Sequence, residues 1–275
     1  MPQYDHIGAK YDQASEQFYK LLEGKLMQNA LGPELAKRPP GLKLLEFASG
    51  TGFYTSRVLS WTDGSPATTI TSMDISQAMV DVNRAHNADA VSAGRLRLLT
   101  ADGARPTSYA PDGVTANYFD GAFGGWFLNY AESRAGLRAM FDNIALNIKP
   151  GGFFVGVVPY PTEDLAARGR ACKEPPLSDI YPYLDFTREL ADGSGWYFTC
   201  HVDETLSFET AHHRRSVMEE TAREAGFTEI EWSEANLPRE EFVPEGATVK
   251  KDMSPEVYQA YKDVGILAVI KIFKK

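Results

Sequence analysis

Residues 42–59 read LKLLEFASGTGFYTSRVL, and this stretch decides the fold. It begins with an apolar run over residues 42–47, passes through a turn containing Gly50 and Gly52, and continues as apolar residues at helical spacing. Glycines let a ligand approach the backbone of such a turn, and the helix that follows presents free N–H groups. The stretch therefore predicts a strand, a ligand-binding turn and a helix.

Apolar runs and helical patterns alternate on the C-terminal side of this stretch. Further strands are predicted at residues 69–73, 96–99, 119–123 and 153–158, with helices at residues 53–59, after Ser76 and at residues 132–147. Strands that alternate with helices favour a mostly parallel sheet covered on both faces. A further helix is predicted at residues 15–31, ended by the prolines at positions 33, 39 and 40.

The sequence changes in character after residue 158. Residues 159–204 combine many aromatic residues with prolines and glycines, which predicts a lid over the carboxyl ends of the strands. Beyond it, residues 205–209 are predicted as extended, residues 214–225 as a helix stopped by Gly226, and residues 228–231 and 265–274 as strands. The last strand is apolar enough to predict a place in the interior of the sheet.

Acidic residues stand at the ends of three successive predicted strands. Glu46 precedes the glycine turn, Asp74 ends the next strand, and Asp102 with Gly103 ends the one after. A carboxylate at the second position can accept both hydroxyls of a ribose, and one at the third can accept a hydrogen bond from an adenine amino group. Because parallel α/β sheets bind ligands at this edge, the three acids predict a nucleoside pocket.

Two other kinds of nucleotide-binding turn fit this stretch less well. A nicotinamide dinucleotide site requires G-x-G-x-x-G, but Thr55 stands where the third glycine would be, and Glu46 is unfavourable beside a pyrophosphate. A phosphate-binding P-loop requires a Lys-Ser/Thr pair after the glycines, and the sequence has none there. A ligand that carries an ammonium and a sulfonium tolerates the glutamate.

These motifs resemble those of class I S-adenosylmethionine-dependent methyltransferases, whose first motif is an acid followed by G-x-G-x-G, with Ala48 in place of the first glycine. Similar segments follow at residues 73–80 (MDISQAMV), 119–131 (FDGAFGGWFLNYA) and 146–156 (LNIKPGGFFVG). The opening YDHIGAKYD is similar to the start of ubiquinone/menaquinone-type methyltransferases, and the LNYA string to a small-molecule branch that includes toxoflavin-type N-methyltransferases. The resemblance implies S-adenosylmethionine as cofactor and S-adenosylhomocysteine as product.

The same resemblance implies an α/β fold with a doubly wound, seven-stranded, mostly parallel Rossmann-like sheet. The chain is accordingly divided into an N-terminal helical flap (residues 1–40), a cofactor-binding core (41–158), an inserted aromatic lid (159–204) and a C-terminal part of the core sheet (205–275).

The resemblance also implies a set of cofactor-binding residues. In such relatives an N-terminal tyrosine folds over the cofactor, a role that passes here to Tyr11 and Tyr4. Glycines in the fourth strand either admit the methionine part of the cofactor or leave room for a bulky neighbour. The candidate cofactor-binding residues are Tyr4, Tyr11, Glu46, Ala48, Ser49, Gly50, Gly52, Asp74, Ile75, Met79, Asp102, Gly103, Gly124 and Gly125.

Methyl transfer asks a protein mainly for proximity, orientation and exclusion of water, and for a base only where the nucleophile still holds its proton. The catalytic candidates are His213, His212 and Tyr11. Either histidine could instead be a helix cap or a surface residue. The candidates for substrate binding are Trp126, Tyr130, Tyr160 and His213, and core packing is the alternative for the first two. The aromatic lid favours a flat or apolar acceptor.

Composition bears on the kind of partner and the location of the protein. The chain has 275 residues and a formal charge of −9, which disfavours a nucleic-acid partner. Its two cysteines, Cys172 and Cys200, cannot form a disulfide framework, and it contains neither an apolar leader nor a run of about 18 apolar residues. We therefore expect a cytoplasmic protein without a membrane partner. We also expect a monomer or homodimer without a metal site.

The sequence predicts a methyltransferase that modifies a nitrogen or oxygen of a small aromatic or heterocyclic specialised metabolite. Two alternatives remain open. One is transfer to sulfur or carbon. The other is a protein of this fold that binds the cofactor without methyl transfer and serves as a regulator or a catalyst of rearrangement.

Overall fold

The computed structural model describes residues 18–65, 67–179, 182–202, 204, 206–243, 245, 249 and 253–275. In chain order these residues form α1 (Phe18–Ala36), β1 (Lys43–Phe47), α2 (Phe53–Trp61), β2 (Thr69–Asp74), α3 (Gln77–His86), α4 (Ala88–Ser92), β3 (Leu96–Thr100), β4 (Phe119–Gly125), α5 (Arg134–Asn147), β5 (Ile148–Pro159), α6 (Leu165–Cys172), β6 (Tyr183–Glu189), β7 (Gly195–His201), β8 (Ser207–His213), α7 (Arg215–Glu224), β9 (Phe227–Glu234), α8 (Arg239–Phe242), α9 (Pro255–Val264) and β10 (Leu267–Lys274).

Seven of these strands form one sheet in the order β3-β2-β1-β4-β5-β10-β9. The pairs from β3 to β5 are parallel, and β10 runs antiparallel to both β5 and β9. The predicted doubly wound, mostly parallel sheet is therefore confirmed. The prediction that the last strand lies inside the sheet is also confirmed, because β10 has a partner on each side.

Both faces of the large sheet are buried along its central strands, which explains the apolar runs in those strands. Along β5, Phe153, Val155 and Val157 pack on the face covered by α1 and α2. Phe154 and Val158 point the other way and pack on the face covered by α5 and α7. Since successive residues of a strand point to opposite faces, only a continuous apolar run satisfies both cores.

Helix α1 differs from the sequence prediction at its C-terminal end. The helix contains Pro33 and continues to Ala36, so the prediction that Pro33 ends it was wrong. A proline within a helix removes one hydrogen bond and costs about 3 kcal/mol. Buried side chains on either side, including Leu31 and Glu34, hold the helix against the core across that gap.

The segment predicted as an irregular lid contains regular structure. Helix α6 and strands β6 and β7 lie within residues 159–204, and β6, β7 and β8 form a separate antiparallel sheet. Strand β8 begins after residue 204, so the predicted boundary between residues 204 and 205 separates it from the two strands that share its sheet.

The order of the strands fixes where a ligand can bind. From β1 the chain moves outward to β2 and β3 and then returns to β4 on the other side of β1. The loops after β1 and β4 therefore diverge and leave a crevice at the carboxyl ends of the strands, the usual binding place in open α/β sheets.

Candidate functional site

The turn after β1 has an unusual backbone. Ala48, Gly50 and Gly52 have φ angles of 51°, 53° and 96°, all in the left-handed region that favours glycine. The turn is closed by a hydrogen bond from Gly52 N–H to Ser49 O at 3.0 Å, and Ser49 N–H donates to Met73 O at the same distance. These bonds tie the turn to the end of β2.

Asp74 connects this turn to the loop after β2. Its carboxylate accepts hydrogen bonds from Gly50 N–H at 2.8 Å and from Ser76 N–H at 2.9 Å. A carboxylate offers about four acceptor positions, so it can hold two loops and still take part in binding a ligand.

Three neighbouring cavities lie along the carboxyl ends of the strands. The first, here called the loop cavity, lies over the turn after β1 and has a volume of about 560 Å³, part of which is open to solvent. Its walls include the candidates Ala48, Ser49, Gly50, Asp74, Met79 and Gly125, together with Lys20 and Tyr54. The hydroxyl oxygen of Ser49 is buried and has no hydrogen-bond partner in the described part of the chain. A buried polar atom without a partner costs about 1–3 kcal/mol, so the Ser49 hydroxyl has unused capacity for a hydrogen bond with a ligand or an ordered water.

The second cavity, the edge cavity, lies between the loops after β2 and β3 and has a volume of about 790 Å³, part of which is open to solvent. It shares Ala48 and Asp74 with the loop cavity and adds Ile75, Asp102 and Gly103. The Ile75 side chain is 50% exposed although it is apolar, and it offers a flat contact for a ring. Asp102 Oδ2 lies 3.0 Å from Arg105 Nε in an ion pair, and Asp102 Oδ1 accepts a hydrogen bond from Ala104 N–H.

The third cavity, the aromatic cavity, lies between α1, the large sheet and the small sheet and has a volume of about 610 Å³, part of which is open to solvent. Apolar and aromatic side chains such as Leu184, Phe198 and Phe208 form most of its walls. Trp126 lines both this cavity and the loop cavity, and Tyr130 lines all three. The two predicted substrate-binding residues at the end of β4 therefore stand where the cavities meet.

Trp126 has a strained backbone at this junction. Its φ is 58°, and its N–H donates to Val157 O at 2.8 Å. A bulky residue in the left-handed region costs about 1–3 kcal/mol, and such strain clusters at binding sites. Burial raises the pKa of the neighbouring Tyr130 hydroxyl, so this phenol stays protonated and can act as a hydrogen-bond donor at neutral pH.

Three predicted cofactor residues lie outside the walls of the cavities. Glu46 is buried beneath the turn, where its carboxylate accepts hydrogen bonds from Thr55 at 2.5 Å and from Ser72. Burial raises the pKa of Glu46 to about 7. Gly52 and Gly124 also line none of the three cavities. All three residues therefore support the residues of the loop cavity without lining it themselves.

Packing explains the glycines at the end of β4. A Cβ on Gly124 would lie 2.8 Å from Phe47 O, and one on Gly125 would lie 2.1 Å from the Tyr54 ring. Room for a bulky side chain therefore explains Gly125, whereas Gly124 lies against the backbone of β1. Gly125 still lines the loop cavity beside that ring.

The structure does not bring the predicted catalytic histidines to the cavities. His212 and His213 are buried on β8, and their Nε2 atoms lie 2.7 Å from Tyr160 O and 2.8 Å from Ala131 O. Burial lowers the pKa of both imidazoles. A neutral ring whose Nε2–H donates to a carbonyl holds a loop in place, so their role as bases is corrected to a structural one.

Of the three candidate tyrosines that remain, one lies away from the cavities and two lie outside the described residues. Tyr160 packs against Gly265, where a Cβ would lie 2.5 Å from its ring, and it does not line any of the three cavities. Tyr4 and Tyr11 lie outside the described residues.

Sequence reasoning missed four polar residues that line the aromatic cavity: Lys20, Glu23, Asn129 and Thr210. Lys20 and Glu23 form a buried ion pair at 2.8 Å on α1. In the sequence they are visible only as two charged residues on the apolar face of the predicted helix, where buried apolar residues are expected.

Among the described residues, no helix is long and apolar enough to cross a membrane. The same residues contain no group of three or more His, Cys, Asp or Glu side chains that could hold a metal ion.

Comparisons with known proteins agree with this architecture. No family model and no curated protein matches the sequence. Solved structures do match. They include the geranyl diphosphate C-methyltransferase of Streptomyces coelicolor A3(2) in complex with S-adenosylhomocysteine, with a TM-score of 0.58 and 11% identity over 92% of this chain and 78% of that one. The 1,6-didemethyltoxoflavin-N1-methyltransferase of Burkholderia thailandensis has a TM-score of 0.51 and 15% identity over 91% and 78%.

A third match is the [4+2]-cyclase SpnF, with a TM-score of 0.53 and 19% identity over 89% of this chain and 79% of that one. At these identities the likeness shows the fold, which is that of class I S-adenosylmethionine-dependent methyltransferases, as the sequence motifs predict. The three proteins catalyse different reactions, so the fold leaves the reaction of this chain open.

Proposed function

We propose that this protein is an S-adenosylmethionine-dependent methyltransferase that acts on a nitrogen or oxygen of a small aromatic or heterocyclic metabolite. One observation carries the proposal. The loop and edge cavities follow the glycine turn and the acids at the strand ends, and they adjoin a separate aromatic cavity: Tyr130 lines all three, and Trp126 lines the loop and aromatic cavities. This arrangement suits a donor and an acceptor that meet at one point.

The residues of the two cofactor cavities fit the proposed cofactor. A Cβ on Gly50 would meet no atom within 4 Å, so the turn leaves open space directly above its backbone. Ser49, whose hydroxyl has no hydrogen-bond partner in the described part of the chain, lines the loop cavity, and there Lys20 and Asp74 supply charges of both signs for an amino-acid tail. The edge cavity combines Asp74 and Asp102 with apolar Ile75, which suits a ribose and an adenine ring.

The bound cofactor would supply an electrophilic methyl group on a sulfonium. The chain's own contribution is to bind, orient and exclude water, which can lower a barrier by about 7–11 kcal/mol in favourable cases. Tyr130 borders all three cavities and Trp126 borders two, so both can fix the position of the acceptor relative to the donor. The apolar walls of the aromatic cavity would stack against a flat acceptor and remove its water.

The first test is binding and product formation. Calorimetry with S-adenosylmethionine and S-adenosylhomocysteine should show saturable binding, and incubation with a metabolite extract should give a product heavier by one methyl group. Binding without any methylated product would favour the second candidate function, a cofactor-dependent regulator or rearrangement catalyst. The likeness to a cyclase is the observation that keeps this candidate in view. A product methylated at carbon or sulfur would keep the cofactor and change the acceptor atom.

Replacing Asp74 with Ala should weaken S-adenosylhomocysteine binding by about 2–3 kcal/mol, or roughly 30–150-fold, because two charge-assisted hydrogen bonds to the ligand are lost. Calorimetry measures the effect. Asp74→Asn, which keeps one acceptor oxygen for Gly50 N–H, should lose less. Asp89→Ala removes an exposed aspartate of α4 that lines none of the three cavities and serves as the control. Unchanged affinity in Asp74→Ala would place the ribose elsewhere.

A further inference from the structure

Two residues that line the aromatic cavity each carry a buried oxygen atom that has no hydrogen-bond partner in the described part of the chain. One is Oε1 of Glu23 and the other is Oδ1 of Asn129. Both residues line the cavity and are almost fully buried, with 0% and 2% of their surfaces exposed. Most of the surrounding wall is apolar, so the two oxygens stand out as its specific polar features.

The partners of Glu23 explain why one of its oxygens is left over. Oε2 accepts hydrogen bonds from Lys20 Nζ at 2.8 Å and from the Tyr54 hydroxyl at 3.0 Å. Lys20 and Tyr54 also line the loop cavity. The carboxylate therefore stands at the wall between the two cavities, with its charge balanced by Lys20 and with Oε1 as an acceptor.

The hydrogen bonds of Asn129 fix which way its side-chain amide points. The Thr210 hydroxyl donates its single proton to the backbone carbonyl oxygen of Asn129 at 2.5 Å. The same hydroxyl oxygen must then accept from the side chain of Asn129, which is 2.6 Å away. The atom facing Thr210 is therefore the amide nitrogen, and the remaining atom is a carbonyl oxygen, which can only accept.

A pair of acceptors in an apolar cavity selects for a ligand with donors. Leaving a buried acceptor without a partner costs about 1–3 kcal/mol, and more for a charged group. A site built to receive O–H or N–H groups therefore rejects an analogue that lacks them far more strongly than it rejects a change in apolar volume.

We propose that the aromatic cavity binds a flat ring that carries two hydrogen-bond donors, hydroxyl or amino groups, one received by Glu23 Oε1 and the other by Asn129 Oδ1. The donor on Glu23 lies beside the wall shared with the loop cavity. Only the description of this ring as the methyl acceptor rests on the proposed function; the recognition of two donors does not.

Other polar groups of the cavity do not provide this recognition. Burial raises the pKa of the Cys200 thiol to about 12, so at neutral pH it is a weak donor and not an anion. Burial likewise raises the pKa of the Tyr261 hydroxyl, which stays protonated. Glu23 and Asn129 thus supply the strong acceptors.

The test uses ring fragments as probes, without cofactor, and measures binding by saturation-transfer NMR. Catechol and resorcinol present two hydroxyls at different spacings, and 1,2- and 1,3-dimethoxybenzene are the matched fragments without donors. At least one dihydroxy fragment should bind ten times or more tightly than its dimethoxy counterpart. Equal binding of the paired fragments, or binding of none, would overturn the proposal. Calorimetry with S-adenosylhomocysteine tests the proposed function separately.

Glu23→Gln gives a sharper test. If the Gln oxygen takes the hydrogen bonds from Lys20 and Tyr54, its NH₂ group points into the cavity and replaces an acceptor by a donor. The preference for dihydroxy fragments should then fall at least tenfold, whereas Glu229→Gln, on the exposed side of β9, should keep it. An unchanged preference in Glu23→Gln would remove Glu23 from the proposal. The comparison of fragments on the unmodified protein remains decisive if this variant does not fold.

Discussion

Gly52→Ala should lower the free energy of unfolding by about 2–5 kcal/mol. A non-glycine residue in the left-handed region costs about 1–2 kcal/mol, and Gly52 has a φ of 96°. In addition, the new Cβ would lie 2.5 Å from Asn83 Oδ1 and 2.9 Å from Asn87 Nδ2. Overpacking of this kind costs about 1–3 kcal/mol. Urea unfolding of both proteins under the same conditions measures the difference.

The asparagines cannot move aside freely, because they belong to a buried hydrogen-bond network. Asn87 Nδ2 donates to Asn83 Oδ1 at 2.9 Å, and Asn83 Nδ2 donates to Thr55 Oγ1 at 3.0 Å. Thr55 in turn donates to Glu46. A methyl group at position 52 therefore disturbs the support of the whole turn.

Two further glycine variants separate the causes. Gly94 has a φ of 69°, and a Cβ at this position would meet no atom within 4 Å. Gly94→Ala should therefore lower the free energy of unfolding by about 1–2 kcal/mol, from backbone strain alone. Gly50→Ala has the same open surroundings but lines the loop cavity, so it should lose ligand affinity with a similarly small loss of stability. Equal stability losses at positions 52 and 94 would show that the contact with Asn83 costs nothing.

The large sheet was predictable because its signals are local and repeated. Each strand buried on both faces requires a continuous apolar run, and each crossover helix begins after a turn residue such as Ser76 or Ser133, whose side chains accept from Met79 N–H and Gly136 N–H. The small sheet lacks such signals. In β6 the C-terminal residues are exposed, so the strand shows neither an apolar run nor a clear alternation, and its order comes from pairing with β7.

The candidate site was predictable only in its backbone. The turn, Asp74 and Asp102 lie at strand ends, and strand ends were readable from the sequence. His212 and His213 were misassigned because a histidine before a helix gives no sign of whether a neighbouring carbonyl, here Tyr160 O or Ala131 O, will receive its ring N–H. Glu23 was missed because a charged residue on a helix is usually exposed to solvent, and only the fold shows that this one is buried.

Glu46 should make the unmodified protein less stable as the pH rises through neutrality. Burial raises the pKa of its carboxyl to about 7 in the folded protein, from an ordinary value of 4.5. The folded state therefore binds more protons than the unfolded state between these values. The stabilisation from protonated Glu46 is fully present below pH 4.5 and is lost as the pH rises through 7. A shift of this size amounts to about 3 kcal/mol.

Glu46→Gln isolates that contribution. Its amide oxygen can still accept hydrogen bonds from Thr55 and Ser72, but the side chain no longer titrates, so the fall of about 3 kcal/mol between pH 4.5 and pH 8 should be missing from its stability profile. Urea unfolding at a series of pH values measures both profiles, with Glu229→Gln as the control for the change in net charge. Other carboxyl groups titrate in both proteins, so the difference between the two profiles is the informative quantity. Parallel profiles would mean that the Glu46 carboxyl titrates at the same pH in the folded and the unfolded protein. A positively charged ligand in the loop cavity should favour the ionised carboxylate and release a proton on binding near pH 6, which calorimetry in buffers of different ionisation enthalpy would detect.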